Sequence, residues 1–291
     1  VNDLADGRLG RRKRAEGLFR GLAAVSAAVV LVSLLLILGT ILWKSVPALS
    51  LSMLTHTPQG GFYLGKEGGI LNAIVGSLEL ALGATALAFL LSLPLALYLN
   101  VYKSRGSKTA VWTRFFLDVL WGVPSIVYGA FGFVVMLALG LRASLLAAIL
   151  TVALLELPIM SRAIDEVMRL VPHELQEASA SLGATRFETA LKVLTRQSAP
   201  GILTGVLLAF GRGIGDAASV LFTAGYADRI PASLADPAAT LPLAIFFQLG
   251  TPFPEVQQRA YASAAVLTLI ILLVSLAGRA MSRKVTRHVV K

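Results

Sequence analysis

Two pairs of opposite charges stand where charge is expensive. Arg212 and Asp216 lie four residues apart in "GRGIGDAASV" (211–220), inside a stretch, 199–222, that is otherwise almost wholly apolar. Arg162 and Asp165 lie three apart at the end of another apolar run. Residues at these spacings share a helix face, with Cβ atoms about 5–6 Å apart, so each guanidinium can be neutralised by its carboxylate. A central membrane charge costs roughly 2.5–3.5 kcal/mol on the insertion scale, and pairing lowers that cost. Arg212 and Asp216 then have two readings. They tie a helix bundle together, or they line a path in which the planar guanidinium donors take an oxyanion while the carboxylate keeps it from being trapped. Gly211, Gly213 and Gly215 would let backbone or substrate approach closely. For Arg162 the alternative is a positive anchor at the inner surface.

Bond-making chemistry is not indicated. There is no G-x-x-x-x-G-K-[ST] stretch to cradle nucleotide phosphates. The glycines at 211, 213 and 215 do not follow a strand, as a dinucleotide fingerprint requires. His56, His173 and His288 fall in three separate segments, which argues against a metal site. Cysteine is absent, so thiolate and disulfide chemistry are excluded. We expect no catalytic residue, no metal site and no cofactor bound by this chain.

The elements that carry the charged pairs are membrane spans. Of the 291 residues, 56% are hydrophobic and 14% charged. Six apolar runs approach the roughly 20 residues needed to cross a bilayer: 21–43, 74–101, 115–139, 143–160, 199–222 and 261–280. The first follows "RRKR" but exceeds a signal-peptide core and shows no small-residue cleavage site, so we read an uncleaved anchor. A net charge of +10 would suit nucleic acid only with a basic reading face. Here Lys and Arg gather instead in alternate junctions: before the first span, at 103–114, between 162 and 196, and after 279. By the positive-inside rule both termini and the 161–198 loop are cytoplasmic, while 44–73 and 223–259 lie outside.

Loop chemistry adds detail. The 44–73 loop is rich in Pro, Gly and Thr, which suggests irregular structure with short extended pieces that could serve for docking. "TLPLAIFFQLG" (240–250) is apolar but too short to span, giving an interfacial or re-entrant helix begun at Pro242 and stopped at Gly250. In the third span Gly122 and Pro124 interrupt the helix, and Gly129 and Gly132 thin one side. On the cytoplasmic side, "LVPHELQEASASLGATRFETALKVL" (170–194) reads as a helix begun near Pro172, with Leu175, Ala178 and Leu182 at helical spacing and Gly183 as its cap. Thr185 and Glu188 then form a capping box that starts a second helix. A helix–glycine–helix elbow facing the cytosol implies something that grips it.

"EASASLGATRFETALKVL" resembles the E-A-A-x-x-x-G loop of ABC-importer permeases, with Glu177, Ala178 and Gly183 on its acidic, small and glycine positions. Further stretches, "GGILNAIVGSLEL", "GVPSIVYGAFG", "RAIDEVMRLVP", "GRGIGDAASVLFTAG" and "TLPLAIF", are similar to the A-type permeases of phosphate-specific importers from about residue 68 onward. This chain has Asp216 and Ser219 where those permeases usually have Glu and Pro, Thr195-Arg196 for a usual Leu-Pro, and Asp165 where Glu is common.

The resemblance implies an all-α integral membrane protein of the ABC type I importer permease fold, with six transmembrane helices and a cytoplasmic coupling-helix elbow. It places functional charges at Arg212, Asp216, Arg162 and Asp165 along the substrate path, and ATPase coupling at Glu177, Ala178 and Gly183. It also implies partners: a homologous permease, two cytoplasmic ATPase subunits that use ATP and Mg, an external phosphate-binding protein and the lipid bilayer, with no nucleic acid. The organisation expected is a basic cytoplasmic segment 1–20, a first helix 21–43, an outer loop 44–73, a permease core 74–280 with coupling loop 161–198, and a basic tail 281–291. The setting is a bacterial or archaeal inner membrane, multi-pass. Two alternatives stay open: a permease for another oxyanion such as sulfate or molybdate, or a non-transporting membrane sensor.

Overall fold

A computed structural model of the chain describes residues 2–59, 67–104 and 106–285, and of residues 2–11, 14, 67 and 283–285 the backbone alone. Arg105, residues 60–66 of the outer loop and residues 286–291 of the basic tail lie outside the described residues. Among the described residues five helices are long and apolar enough to cross a membrane, or six if a sharply bent pair is counted as one span.

The chain opens with α1 (Asn2–Ser45), about 66 Å long at 1.5 Å per residue. It extends the expected 21–43 span in both directions, and its apolar middle is exposed all round, resting mainly on α11. The loop after it, expected on the outer side, holds a short α2 (Leu51–Thr55) and two antiparallel two-residue strands, β1 (Pro58–Gln59) and β2 (Glu67–Gly68), with Pro58 opposite Gly68. Helix α3 (Leu71–Leu97) ends in a π-helical turn, Tyr98–Tyr102.

The third span is interrupted at Gly122 and Pro124, as expected, but more sharply than an interruption alone implies: α4 (Lys108–Trp121) and α5 (Ser125–Ala138) meet at 98°. Pro124 lacks an N–H and steers Val123 out of the helical region, and the Tyr128 hydroxyl donates to the Leu120 carbonyl at 2.8 Å across the corner. Helix α6 (Leu145–Arg169) follows, capped by the Ser144 hydroxyl. Then come the elbow helix α7 (His173–Ser181), α8 (Arg186–Glu188), a π-helical turn (Thr189–Leu194) and α9 (Thr195–Ile214).

A second departure is the end of the fifth span. Helix α9 stops at Ile214, not Phe222, and turns occupy 217–224. Asp216 accounts for the stop, because its carboxylate accepts the Ser219 N–H at 2.8 Å and so competes with helical pairing. Irregular backbone at membrane depth must find partners inside the protein. Here the Thr223 carbonyl accepts from Ser144 N–H (2.9 Å) and Ala224 from Ala238 N–H (2.9 Å).

Helix α10 (Leu241–Leu249) begins with Pro242 in its first turn and stops before Gly250, as expected. One side of it packs against the bundle, where the Leu241 N–H donates to Ser77 of α3 at 2.7 Å and Leu241 and Ala244 pack with Ala73 and Ala262, while Phe246 and Leu249 stay exposed. The last span, α11 (Pro254–Val285), exceeds the expected 261–280 at both ends.

Helices α3, α6 and α9 pack pairwise and form the centre. Small residues let them approach, as in other membrane bundles: Ala84 and Ala88 on α3, Ala148 and Ala153 on α6, Ala209 on α9 are all buried. Larger side chains fill above and below them, with Leu80, Val152 and Leu243 in one cluster and Met160, Ile164, Met168 and Leu194 in another.

Candidate functional site

Arg212 sits in the last turn of α9 and Asp216 lies beyond the helix, so the pair does not share one helix face deep within a span as the spacing suggested. The turn nevertheless brings them together, with Arg212 Nη2 3.4 Å from Asp216 Oδ1. Charge-assisted bonds of this kind are usually 2.7–2.9 Å, so the contact is loose. Asp216 is buried and already holds Ser219, whereas the Arg212 side chain is 48% exposed. A cation at a helix C-terminus is favoured by the carbonyl dipoles. Arg212 is therefore stabilised without being saturated, and can offer planar donors to an oxyanion.

The three glycines around it differ. A Cβ at Gly211 would meet open space, and one at Gly215 only an ordinary contact, so neither is demanded by packing. Gly213 is demanded: a side chain there would collide with Glu156 and Val152 of α6. Glu156 itself was not singled out from the sequence. It is fully buried, beside Thr85, and neither carboxylate oxygen has a hydrogen-bond partner. The available signal was an acid inside the apolar run 143–160. Gly129, expected only to thin its helix, lies against the backbone carbonyls of Ala218 and Ser219 and lets α5 support the turn after Asp216.

The second pair is part of a larger cluster. Arg162 and Asp165 touch at 3.5 Å, the longest contact either makes in this cluster. Asp165, with no exposed side-chain surface, accepts from Arg114 Nε (2.8 Å), Arg114 Nη2 (2.9 Å) and Asn100 Nδ2 (2.7 Å). Arg162 pairs with Asp118 at 2.6 Å and Glu166 at 3.2 Å. Two guanidiniums thus face three carboxylates, joining the end of α3, α4 and α6. Spacing along one helix could not reveal Arg114, whose partner is 51 residues away. In this arrangement the cluster cannot take an oxyanion without first giving up ion pairs.

The elbow follows the sequence closely. Pro172 immediately precedes α7, Gly183 adopts φ +80°, and the Thr185–Glu188 capping box is complete, with Glu188 N–H to Thr185 Oγ1 at 3.2 Å and Thr185 N–H to Glu188 at 3.0 Å. Positive φ is strained for any residue with a Cβ. Ser179 and Thr189 hydroxyls, 2.9 Å apart, pin the two limbs. Glu177 contacts His173 at 3.2 Å, and both Glu177 and Ala178 are exposed. No residue of α7 is buried, and Leu182 is 90% exposed. Leu175 packs against the core below the elbow, whereas Ala178 and Leu182 are left uncovered by the chain itself.

Among the cavities flanking the bundle, one of about 660 Å³ is lined by Ser50, His56, Glu255 and Arg259. Another, of about 530 Å³ and here called the inner cavity, lies between the end of α3 and the elbow.

Comparison with known proteins agrees with this architecture. The profile of the family described as binding-protein-dependent transport system inner membrane component matches residues 92–291. The phosphate transport system permease protein PstA of Haemophilus influenzae is 35% identical over 269 residues, covering 92% of this chain and 94% of that protein. The protein of the same name from Mycobacterium leprae is 37% identical over 236 residues, covering 80% and 77%. Among solved structures, an inward-facing MetNI methionine ABC transporter aligns with TM-score 0.60 at 19% identity, covering 74% of this chain and 95% of that one. A bacterial ABC transporter involved in import of the acidic polysaccharide alginate aligns with TM-score 0.57 at 16% identity, covering 92% and 99%. At these identities the two structures establish the fold alone.

Proposed function

We propose a transport role from one premise: this chain belongs to the family of binding-protein-dependent transport system inner membrane components. It is a multi-pass inner-membrane permease subunit of an ABC importer, and its substrate is inorganic phosphate. The observation that carries the substrate is the 35% identity to the Haemophilus influenzae phosphate permease across nearly the full length of both chains.

Geometry supports a specific division of labour. Arg212, held at the end of α9 by one loose contact, meets the phosphate oxygens; Asp216 steadies it and weakens the hold so that the anion is released. Arg162 and Asp165 belong to an ion-paired cluster that ties α4 and α6 together, and they contribute to the path when those pairs exchange. A second, homologous permease completes the path, its counterpart surface covering the exposed side of Arg212.

Energy comes from partners. Two ATPase subunits, using ATP and Mg, grip the elbows of the two permeases at Glu177, Ala178 and the exposed Leu182, and an external phosphate-binding protein docks on the outer loops. Closure of the ATPases moves each elbow as a lever, since Gly183 and the capping box fix its angle. The distribution of Lys and Arg supports cytoplasmic termini and a cytoplasmic elbow.

The test of the substrate is competition. Uptake of radiolabelled phosphate by the reconstituted complex should persist in excess sulfate or molybdate, and suppression by either would reassign the permease to another oxyanion.

A further inference from the structure

We propose that the inner cavity, at the root of the elbow, binds a phosphate-bearing anion. The proposal rests on the cytoplasmic placement of the elbow given above, but not on phosphate being the transported substrate. The cavity, about 530 Å³, is walled by the end of α3, by α4 and by both limbs of the elbow. Its volume is within the range of ligand sites.

Charge identifies the ligand class. Lys103, Arg169 and Arg186 converge on this cavity, and among the described residues none of the three makes an ion pair. Arg114 also lines it but is neutralised by Asp165. Glu177 is the one carboxylate in the lining, and it is engaged by His173. Cations that only mark the inner side of a membrane protein need not share a concavity; these come from the end of α3, the end of α6 and the start of α8.

Its surroundings place the cavity at the membrane surface. Lys103 lies over the Tyr98 ring at 5.1 Å, and exposed Tyr98 and Tyr102 stack beside it. On α4 the exposed rings of Trp112, Phe115 and Phe116 cluster at 5.6–5.9 Å. Exposed Tyr and Trp rings, here Tyr98, Tyr102 and Trp112, gather at headgroup level, and basic pockets on the cytoplasmic side of helix bundles suit phosphate headgroups. An anion bridging Arg169, before the elbow, and Arg186, after it, braces the two limbs against the core and stiffens the lever. A lipid headgroup and free inorganic phosphate share this chemistry.

Two binding measurements on the purified full complex, without binding protein, separate the sources. Native mass spectrometry after extraction from anionic membranes reports retained phospholipid, and equilibrium dialysis of radiolabelled phosphate in zwitterionic detergent reports free anion. Each lost cation should weaken surface binding roughly fivefold, so the Arg169→Gln/Arg186→Gln double variant should lose about 30-fold in whichever arm is positive. Size-exclusion chromatography must show that variant assembled; if it is not, each single variant, with an expected fivefold loss, replaces it. Retention of neither ligand by the wild type, or equal retention by assembled variants, overturns the proposal. Phosphate held at Arg212 would persist in these variants, so the cavity is read from the loss on removing Arg169 and Arg186, and a different transported substrate would leave that difference intact.

Discussion

The carboxylate of Glu156 lies against the backbone of Gly213, with neither oxygen hydrogen-bonded and no solvent in reach. An acid on α6 thus fixes how near α9 can come, one residue from Arg212. Burying an unpaired carboxyl is unfavourable, so Glu156→Met, of similar volume and apolar, should raise the melting temperature of the complex in a thermal-shift assay. A lowered melting temperature would mean that Glu156 has a partner in the assembled transporter.

Gly213→Ala should have the opposite effect. The added methyl meets Glu156 and Val152, and overpacking of this kind costs about 1–3 kcal/mol. Combining it with Glu156→Ala should recover part of the loss, and strict additivity of the two changes would show that they do not touch.

Gly129 and Gly122 provide a contrast on the broken span. A Cβ at Gly129 would come 2.8 Å from the carbonyls of Ala218 and Ser219, and backbone cannot move aside cheaply; at Gly122 the nearest atom is 3.4 Å away. Gly129→Ala should therefore destabilise by roughly 1–3 kcal/mol while Gly122→Ala is nearly silent, read as yield and melting temperature of the assembled complex.

Arg114→Ala should be among the more damaging single changes, because it leaves Asp165 buried with only Asn100 and the distant Arg162 as partners. Removing one member of a buried pair costs about 3–5 kcal/mol. Loss of folded complex is the expected outcome, and a variant as stable as wild type would show that the cluster is water-filled.

Gly183→Val tests the elbow without touching the core, since nothing lies within 4 Å of its Cβ position. The cost is the left-handed backbone alone, roughly 1–2 kcal/mol, so the bundle should remain folded. Binding-protein-stimulated ATP hydrolysis should fall, and unaltered stimulation would mean that the elbow angle does not carry coupling.

The parts of the molecule that depend on local rules were legible in its residues. The elbow was readable because Pro172, Gly183 and the Thr185–Glu188 box each act over three or four residues, and α10 because Pro242 and Gly250 bracket it. The 98° corner was visible as an interruption at Gly122 and Pro124, but its angle depends on Tyr128 reaching back to Leu120. The early stop of α9 was hidden because its apolar composition continues to Phe222, whereas the stop depends on where one carboxylate points. Arg114 and Asp165 belong to different helices, and periodicity within one segment carries no information about such a pair.

The central claim is that Arg212 handles phosphate. Its most direct test is uptake of radiolabelled phosphate into proteoliposomes containing the complete importer, comparing wild type with Arg212→Gln at matched assembly. Loss of a charged hydrogen bond of about 1.5–3 kcal/mol at the rate-limiting encounter corresponds to roughly a 10- to 150-fold drop in uptake, with the complex intact by size-exclusion chromatography. Undiminished uptake by an intact Arg212→Gln complex would contradict the claim and leave the Arg212–Asp216 contact as a structural tie.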